Sequence, residues 1–288
     1  MRALTNFMVT HVTEAAVVIR NLVKTFGDHT ALDGISLEVP KGSVYGFIGA
    51  NGAGKTTTIR ILLGLAKSTS GSVTVLGTAR GELPTKPIEG VAYLPDVPSV
   101  YPWLSAMEAM TMLAGFSGVI EDIARDRSND LLALVGLDRA NGRVGSFSRG
   151  MKQRLGIAAA LVSAPQLLVL DEPTSALDPL GRRDVMNLLR DLRGRTTVLF
   201  SSHLLGDVEE VCTHVGMIHA GQMIAQGTVD DVLSMSNAEP QYSLRFSAAQ
   251  LDSVRNVVKN AGLERTEIVE QKPSLQQVYE QKTERKNR

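Results

Sequence analysis

Val44-Tyr45-Gly46-Phe47-Ile48-Gly49-Ala50-Asn51-Gly52-Ala53-Gly54-Lys55-Thr56-Thr57 decides the reading of this chain. An apolar run (VYGFI) suits a buried strand, and TTTIRILLGL from Thr56 to Leu65 suits a helix. Between them lies a Gly, four residues, then Gly-Lys-Thr, the spacing of a phosphate-binding loop. Glycines let the backbone curl with its N–H groups inward, and the following helix turns its positive end to the same point. The loop spans Gly49, Asn51, Gly52, Ala53, Gly54, Lys55, Thr56 and Thr57. Lys55 is expected to reach the β- and γ-phosphates, and the Thr56 hydroxyl to face Mg²⁺. A Gly-rich turn that merely carries Lys-Thr is the bland alternative; the strand and helix on either side weigh against it. The motif alone does not choose among GTPases, kinases, helicases and transporters.

Working outward, Leu167-Leu168-Val169-Leu170-Asp171-Glu172 reads as an apolar strand ending in two acids. In α/β sheets ligands bind at such carboxyl ends. Asp171 is expected to hold Mg²⁺ through water, and Glu172 to orient and deprotonate an attacking water. By themselves the acids would be an ordinary solvated strand end; the phosphate loop changes the balance.

The remaining elements alternate. AAVVIRNLVKTF, ALDGISLEV and GSVTVLG read as β, whereas residues 103 to 165 carry helical spacing with breaks near Gly136 and Gly142. A helix over Gly181 to Leu192, a strand over Thr196 to Phe200 and a helix over Leu204 to Val211 complete an α/β pattern with a parallel sheet. Residues 1–14 read as a flexible polar tail and 15–235 as the main domain. Residues 236–288 read as a small α+β appendage: a strand YSLRFS, an amphipathic helix AQLDSVRNVVKNAG, a strand RTEIVEQ and a charged helix.

Composition excludes several classes. Lys plus Arg equals Asp plus Glu, 30 each, and aromatics make up 5% of the 288 residues. That balance disfavours binding to nucleic acid by backbone charge or base stacking. Cys212 is the single cysteine, so neither an internal disulfide framework nor a cysteine zinc site exists. The most apolar stretch, Leu155 to Leu170, is broken by Pro165 and Gln166 and is shorter than the roughly 20 residues of a spanning helix. The N-terminus lacks the apolar core of a secretory signal.

From about Ala15 to Leu233 the chain resembles the ATP-binding cassette (ABC) ATPases. Beyond the two phosphate-site motifs, the resemblance rests on Phe26 in KTFG, on Phe147-Ser148-Arg149-Gly150-Met151, on Ser175-Ala176-Leu177-Asp178 and on Ser202-His203, in the family's order. It implies a P-loop NTPase fold: a RecA-like parallel core, an antiparallel β subdomain and a helical subdomain over about 97–150. It implies that Phe26 stacks on adenine and that Ser148 and Gly150 cap the γ-phosphate held by an opposite subunit. Asp178 then lies in a loop communicating between two sites, and His203 contacts the γ-phosphate. The helix expected after Ser148 supplies the physical basis, a second anion site at its N-terminus.

The resemblance further implies ATP and Mg²⁺ as cofactors and a homodimer, or a heterodimer with a similar ATPase. It also implies an integral membrane permease subunit as partner and a peripheral place on the cytoplasmic face of the membrane, as in an exporter. Two departures stand out. The common signature Leu-Ser-Gly-Gly-Gln has lost its first Gly and its Gln, and Asp96 in VAYLPDVP stands where a glutamine is usual. Asp96 can still ligate Mg²⁺ or its water. Tyr101 and Trp103 follow closely, in the region that meets a membrane subunit; Trp103 suits either docking or packing inside the small subdomain. The runner-up is a soluble ABC-type ATPase acting on nucleic acid or the ribosome, which usually adds paired cassettes, a coiled-coil insertion or basic arms. A non-hydrolysing regulator is opposed by Glu172 and His203.

Overall fold

The computed structural model describes residues 14–80, 86–175, 177–235 and 248–261. The chain divides into two compact units, Met1–Met235 and Ser236–Arg288.

The first unit holds two sheets. In the antiparallel sheet, β1 (Ala15–Phe26) lies between β2 (His29–Pro40) and β4 (Ser70–Val75), with β5 (Thr78–Arg80) at the edge. The turn into β5 is tight: Leu76 and Gly77 take φ of 46° and 80°, the pair of positive angles that a type I′ hairpin needs.

The second sheet has the order β10-β9-β3-β8-β7-β6. It comprises β3 (Val44–Ile48), β6 (Val91–Leu94), β7 (Leu167–Leu170), β8 (Thr197–Ser202), β9 (His214–His219) and β10 (Gln222–Thr228). All neighbours are parallel except β10, which runs antiparallel to β9. Strands β3, β7 and β8 are buried throughout, as continuous apolar runs in a covered parallel sheet must be.

Alternation along these strands divides the interior into two cores. Val44, Ile48, Leu168, Leu170, Val198 and Phe200 face the helices. Tyr45, Phe47, Leu167, Val169 and Leu199 face the antiparallel sheet and α1 (Lys55–Leu62). The helical core also takes in α2 (Ala106–Phe116), α3 (Glu121–Leu134), α4 (Arg149–Leu161), α5 (Pro179–Asp191) and α6 (Leu205–Val211). A short α7 (Val229–Ser234) follows β10. Ser105 and Glu108 form a capping box that starts α2 cleanly after Trp103.

The expected α/β fold with its antiparallel β subdomain is what the structure has. Differences are local. Helix α1 begins at Lys55 rather than Thr56, and β8 runs on to Ser202 rather than stopping at Phe200. Strands β5, β6, β9 and β10 had no clear sequence signal, being short or interrupted by glycine and polar residues.

In the second unit the described residues form a 3-10 turn (Ala248–Gln250) and α8 (Leu251–Asn260), inside the expected amphipathic helix. The expected strands YSLRFS and RTEIVEQ and the terminal helix lie outside the described residues.

Candidate functional site

Strand register builds the site. Ile48 pairs with Ser202, and Leu170 with Phe200. The residues after β3, β7 and the end of β8 therefore emerge side by side at one sheet edge. These are the glycine loop, Asp171-Glu172 and Ser201-Ser202-His203.

The loop is close-packed where its glycines stand. A Cβ at Gly49 would lie 2.5 Å from Ile218 O, and one at Gly54 would lie 2.6 Å from Leu32 Cδ2. Gly54 also takes φ of 112° as it opens α1. Helix α1 has no side-chain cap, so its first N–H groups turn to the loop.

Lys55 is buried at 5% exposure. Its ammonium donates to Gly49 O at 2.6 Å and Ala50 O at 3.3 Å. It also lies 3.1 Å from Glu172 Oε1. That oxygen is buried and makes no aligned hydrogen bond, so the contact is an ion pair that leaves lone pairs to accept a proton. The other carboxylate oxygen of Glu172 meets His203 Nδ1 at 2.9 Å. Glu172 thus links Lys55 to His203.

Glu172 takes φ of 49°, left-handed for a non-glycine residue. Such a conformation costs about 1–2 kcal/mol and persists where the surroundings over-determine it. The surroundings here include Ser201, whose Oγ accepts from Glu172 N at 2.8 Å and donates to Asp171 Oδ1 at 2.6 Å. Asp171 is itself buried.

A second polar group backs the first. Thr174 Oγ1 donates to Asp207 Oδ2 at 3.2 Å, and Arg182 Nε stands 3.9 Å from the same oxygen. Burial raises the Asp207 carboxyl above its ordinary range, against the lowering effects of Arg182 and Thr174. This group joins the segment after Glu172 to the helix after His203.

The residues fit a magnesium ion. Thr56 and Asp171 offer hard oxygen donors, and Mg²⁺ is usually held by one or two carboxylates together with phosphate and water oxygens. Tyr93 reports on the acids nearby. Its phenol is pushed up to about 12, by burial first and then by Asp171, with a smaller push from Asp96 and an opposing pull from Arg60. Asp96 itself is exposed.

The other sequence candidates lie apart in their bonding. Ser148 caps α4 by accepting from Met151 N at 3.1 Å, with Gly150 in the same first turn. Asp178 caps α5 by accepting from Gly181 N at 2.9 Å. Phe26 is half exposed, with the Lys24 ammonium 4.6 Å above its ring. Trp103 is 63% exposed and stacks on Tyr101 with centroids 4.9 Å apart, so it does not pack inside the helical subdomain. Sequence reasoning passed over Ser201, Thr174, Asp207 and Arg182. For Ser201 the signal was there: a polar pair closing the otherwise apolar strand TVLFSS.

A glycine-lined anion cradle, a buried lysine and a paired acid at the carboxyl edge of a parallel sheet define a P-loop nucleotide-binding site. Residues 32–175 match the ABC transporter family. The chain is 38% identical over 227 residues to the bacitracin transport ATP-binding protein BcrA of Bacillus licheniformis, covering 78% of this chain and 73% of that one. It is 38% identical over 214 residues to the lantibiotic transport ATP-binding protein SrtF of Streptococcus pyogenes, covering 74% of this chain and 90% of that one. A solved ATP-binding subunit of an ABC transporter superposes with a TM-score of 0.69 at 27% identity, over 85% of this chain and 99% of that one. The chain belongs to the ABC transporter family, as an ATP-binding subunit that hydrolyses ATP.

Proposed function

We propose that this subunit powers an exporter by closing with a second cassette around two ATP molecules. Glu172 is the general base in this reading. The observation that carries it is the Glu172 carboxylate, held between Lys55 at 3.1 Å and His203 at 2.9 Å at the end of a buried strand. Lys55 holds one carboxylate oxygen and His203 Nδ1 meets the other, so the half-buried group is aimed while Oε1 retains acceptor capacity. With ATP in the cradle, Lys55 and the α1 N-terminus bind the β- and γ-phosphates, and His203 steadies the γ-phosphate end. Phe26 stacks on the adenine. Thr56 and Asp171 would hold Mg²⁺, with Asp96 touching its water. The metal's contribution is to neutralise charge on the phosphate oxygens.

Ser148 already caps α4, and the N–H groups around Gly150 form a second anion cradle. In a head-to-tail pair it faces the γ-phosphate of the other copy, with Asp178 in the loop between the two sites. The partner chain is a similar cassette, identical or related. An integral membrane permease docks on the exposed Tyr101–Trp103 stack, as aromatic anchors do at interfaces, and the subunit lies peripherally on the cytoplasmic face of the membrane in this reading. The bacitracin and lantibiotic transport in the names of BcrA and SrtF, with the linearmycin resistance in that of LnrL of Bacillus subtilis, supports a transport role.

Glu172→Gln tests the catalytic core. The expected result is a loss of about 10²–10⁴-fold in ATP turnover with ATP binding retained. Hydrolysis at the wild-type rate would remove Glu172 from this role. Trp103→Ala tests docking: it should lose attachment to membranes carrying the permease while still binding ATP. Undiminished attachment would place the docking surface elsewhere.

A further inference from the structure

We propose that Ser201 is a positioning residue for hydrolysis, one hydroxyl that sets both acids in their working orientations. The proposal rests on the reading of Glu172 as the base. Ser201 is fully buried in β8. Its Oγ accepts from the Glu172 backbone N–H at 2.8 Å and donates to Asp171 Oδ1 at 2.6 Å. A serine hydroxyl has one proton and two lone pairs. With the Glu172 amide donating to the oxygen, the single hydroxyl proton points at Asp171 Oδ1, which accepts it.

Each bond has its own consequence. The bond to the Glu172 amide ties down a left-handed residue, φ 49°, and that twist carries the side chain to Lys55 and His203. Without the acceptor the backbone relaxes toward ordinary regions and the carboxylate leaves both partners. The bond to Asp171 occupies Oδ1 and leaves Oδ2 for a metal or its water. The arrangement follows from register: Leu170 pairs with Phe200, so the next residues, Asp171 and Ser201, come level as the strands end.

The test is Ser201→Ala and Ser201→Cys in the full chain. Cysteine keeps the volume but donates and accepts weakly, so it separates the hydroxyl from packing. ATP turnover is measured, together with ATP affinity in EDTA and in Mg²⁺. We expect kcat to fall about 10–100-fold in both variants, a loss of the general-base kind. Affinity in EDTA should stay within about threefold, as for groups that do not touch each other's ligand. The affinity gained on adding Mg²⁺ should shrink, because Asp171 is loosened.

The proposal is overturned if Ser201→Cys turns over ATP at the wild-type rate. It is equally overturned if affinity in EDTA falls in step with kcat, since the damage is then general. Should Ser201→Ala not fold, the isosteric cysteine variant decides alone. Glu172→Gln separates the two levels. An inactive Glu172→Gln beside a fully active Ser201→Cys removes only this proposal. A fully active Glu172→Gln removes the base assignment beneath it.

Discussion

Replacing Lys55 with Met removes the ammonium but keeps an apolar stem of similar length in a buried slot. The ammonium has three partners: Gly49 O, Ala50 O and Glu172 Oε1. Hydrogen bonds to a charged group contribute about 1.5–3 kcal/mol each, and stripping one partner from a buried ion pair costs about 3–5 kcal/mol. Met regains the desolvation cost of the lysine, so a net loss of about 2–4 kcal/mol is expected, much of it from Glu172 left without its cation. That share can be isolated. In Lys55→Met/Glu172→Gln the neutral amide no longer needs a cation, so the double variant should be more stable than the sum of the single changes by about 1.5–3 kcal/mol. In a domain of this size that is roughly 3–12 °C in Tm. The assay is a set of four nucleotide-free thermal or urea melts. A coupling within about 0.5 kcal/mol of zero would refute the claim that Lys55 and Glu172 form one electrostatic unit.

Other perturbations bear on separate parts of the account. Gly49→Ala sets a Cβ 2.5 Å from the backbone oxygen of Ile218, so the cradle must shift. ATP affinity in a fluorescent-nucleotide titration should drop by about tenfold or more, as when anion donors are misplaced by an ångström; wild-type affinity would contradict the packing. Burial lowers the His214 imidazole below its ordinary value, with Asp231 opposing. The folded state therefore prefers the neutral ring, and this stability is present above pH ~6.5 and lost as pH falls through the folded value. Stability measured from pH ~7 down to ~5 should decline less steeply in His214→Gln; parallel curves would contradict it. Asp96→Gln should alter the Mg²⁺ concentration needed for ATPase activity, and an unchanged requirement would remove Asp96 from the metal's surroundings.

Much of the site could be read from sequence because it is local. Gly49 to Thr57 lie in one turn, and Asp171-Glu172 close one strand. The rest depends on register between strands distant in sequence. Ser201 meets Asp171 only because β7 and β8 pair Leu170 with Phe200, and no pattern within TVLFSS states that pairing. Asp207 reaches Thr174 because α6 folds back over the site after His203. Strand β9 was missed since His214, Gly216 and His219 dilute its apolar signal, yet it pairs with β3 and its Ile218 oxygen sets the need for glycine at Gly49. Trp103 looked equally suited to core or surface from its neighbours; the capping box at Ser105 starts α2 just after it, and the ring stays outside.

The central claim is that ATP is held between two cassettes, with the glycine cradle of one facing the Ser148 helix end of the other. Light scattering of Glu172→Gln during gel filtration tests it directly. The account predicts a dimer with ATP and Mg²⁺, a monomer with ADP, and loss of the ATP dimer when Ser148→Ala is added. A strict monomer under ATP, or a dimer indifferent to Ser148, would contradict it.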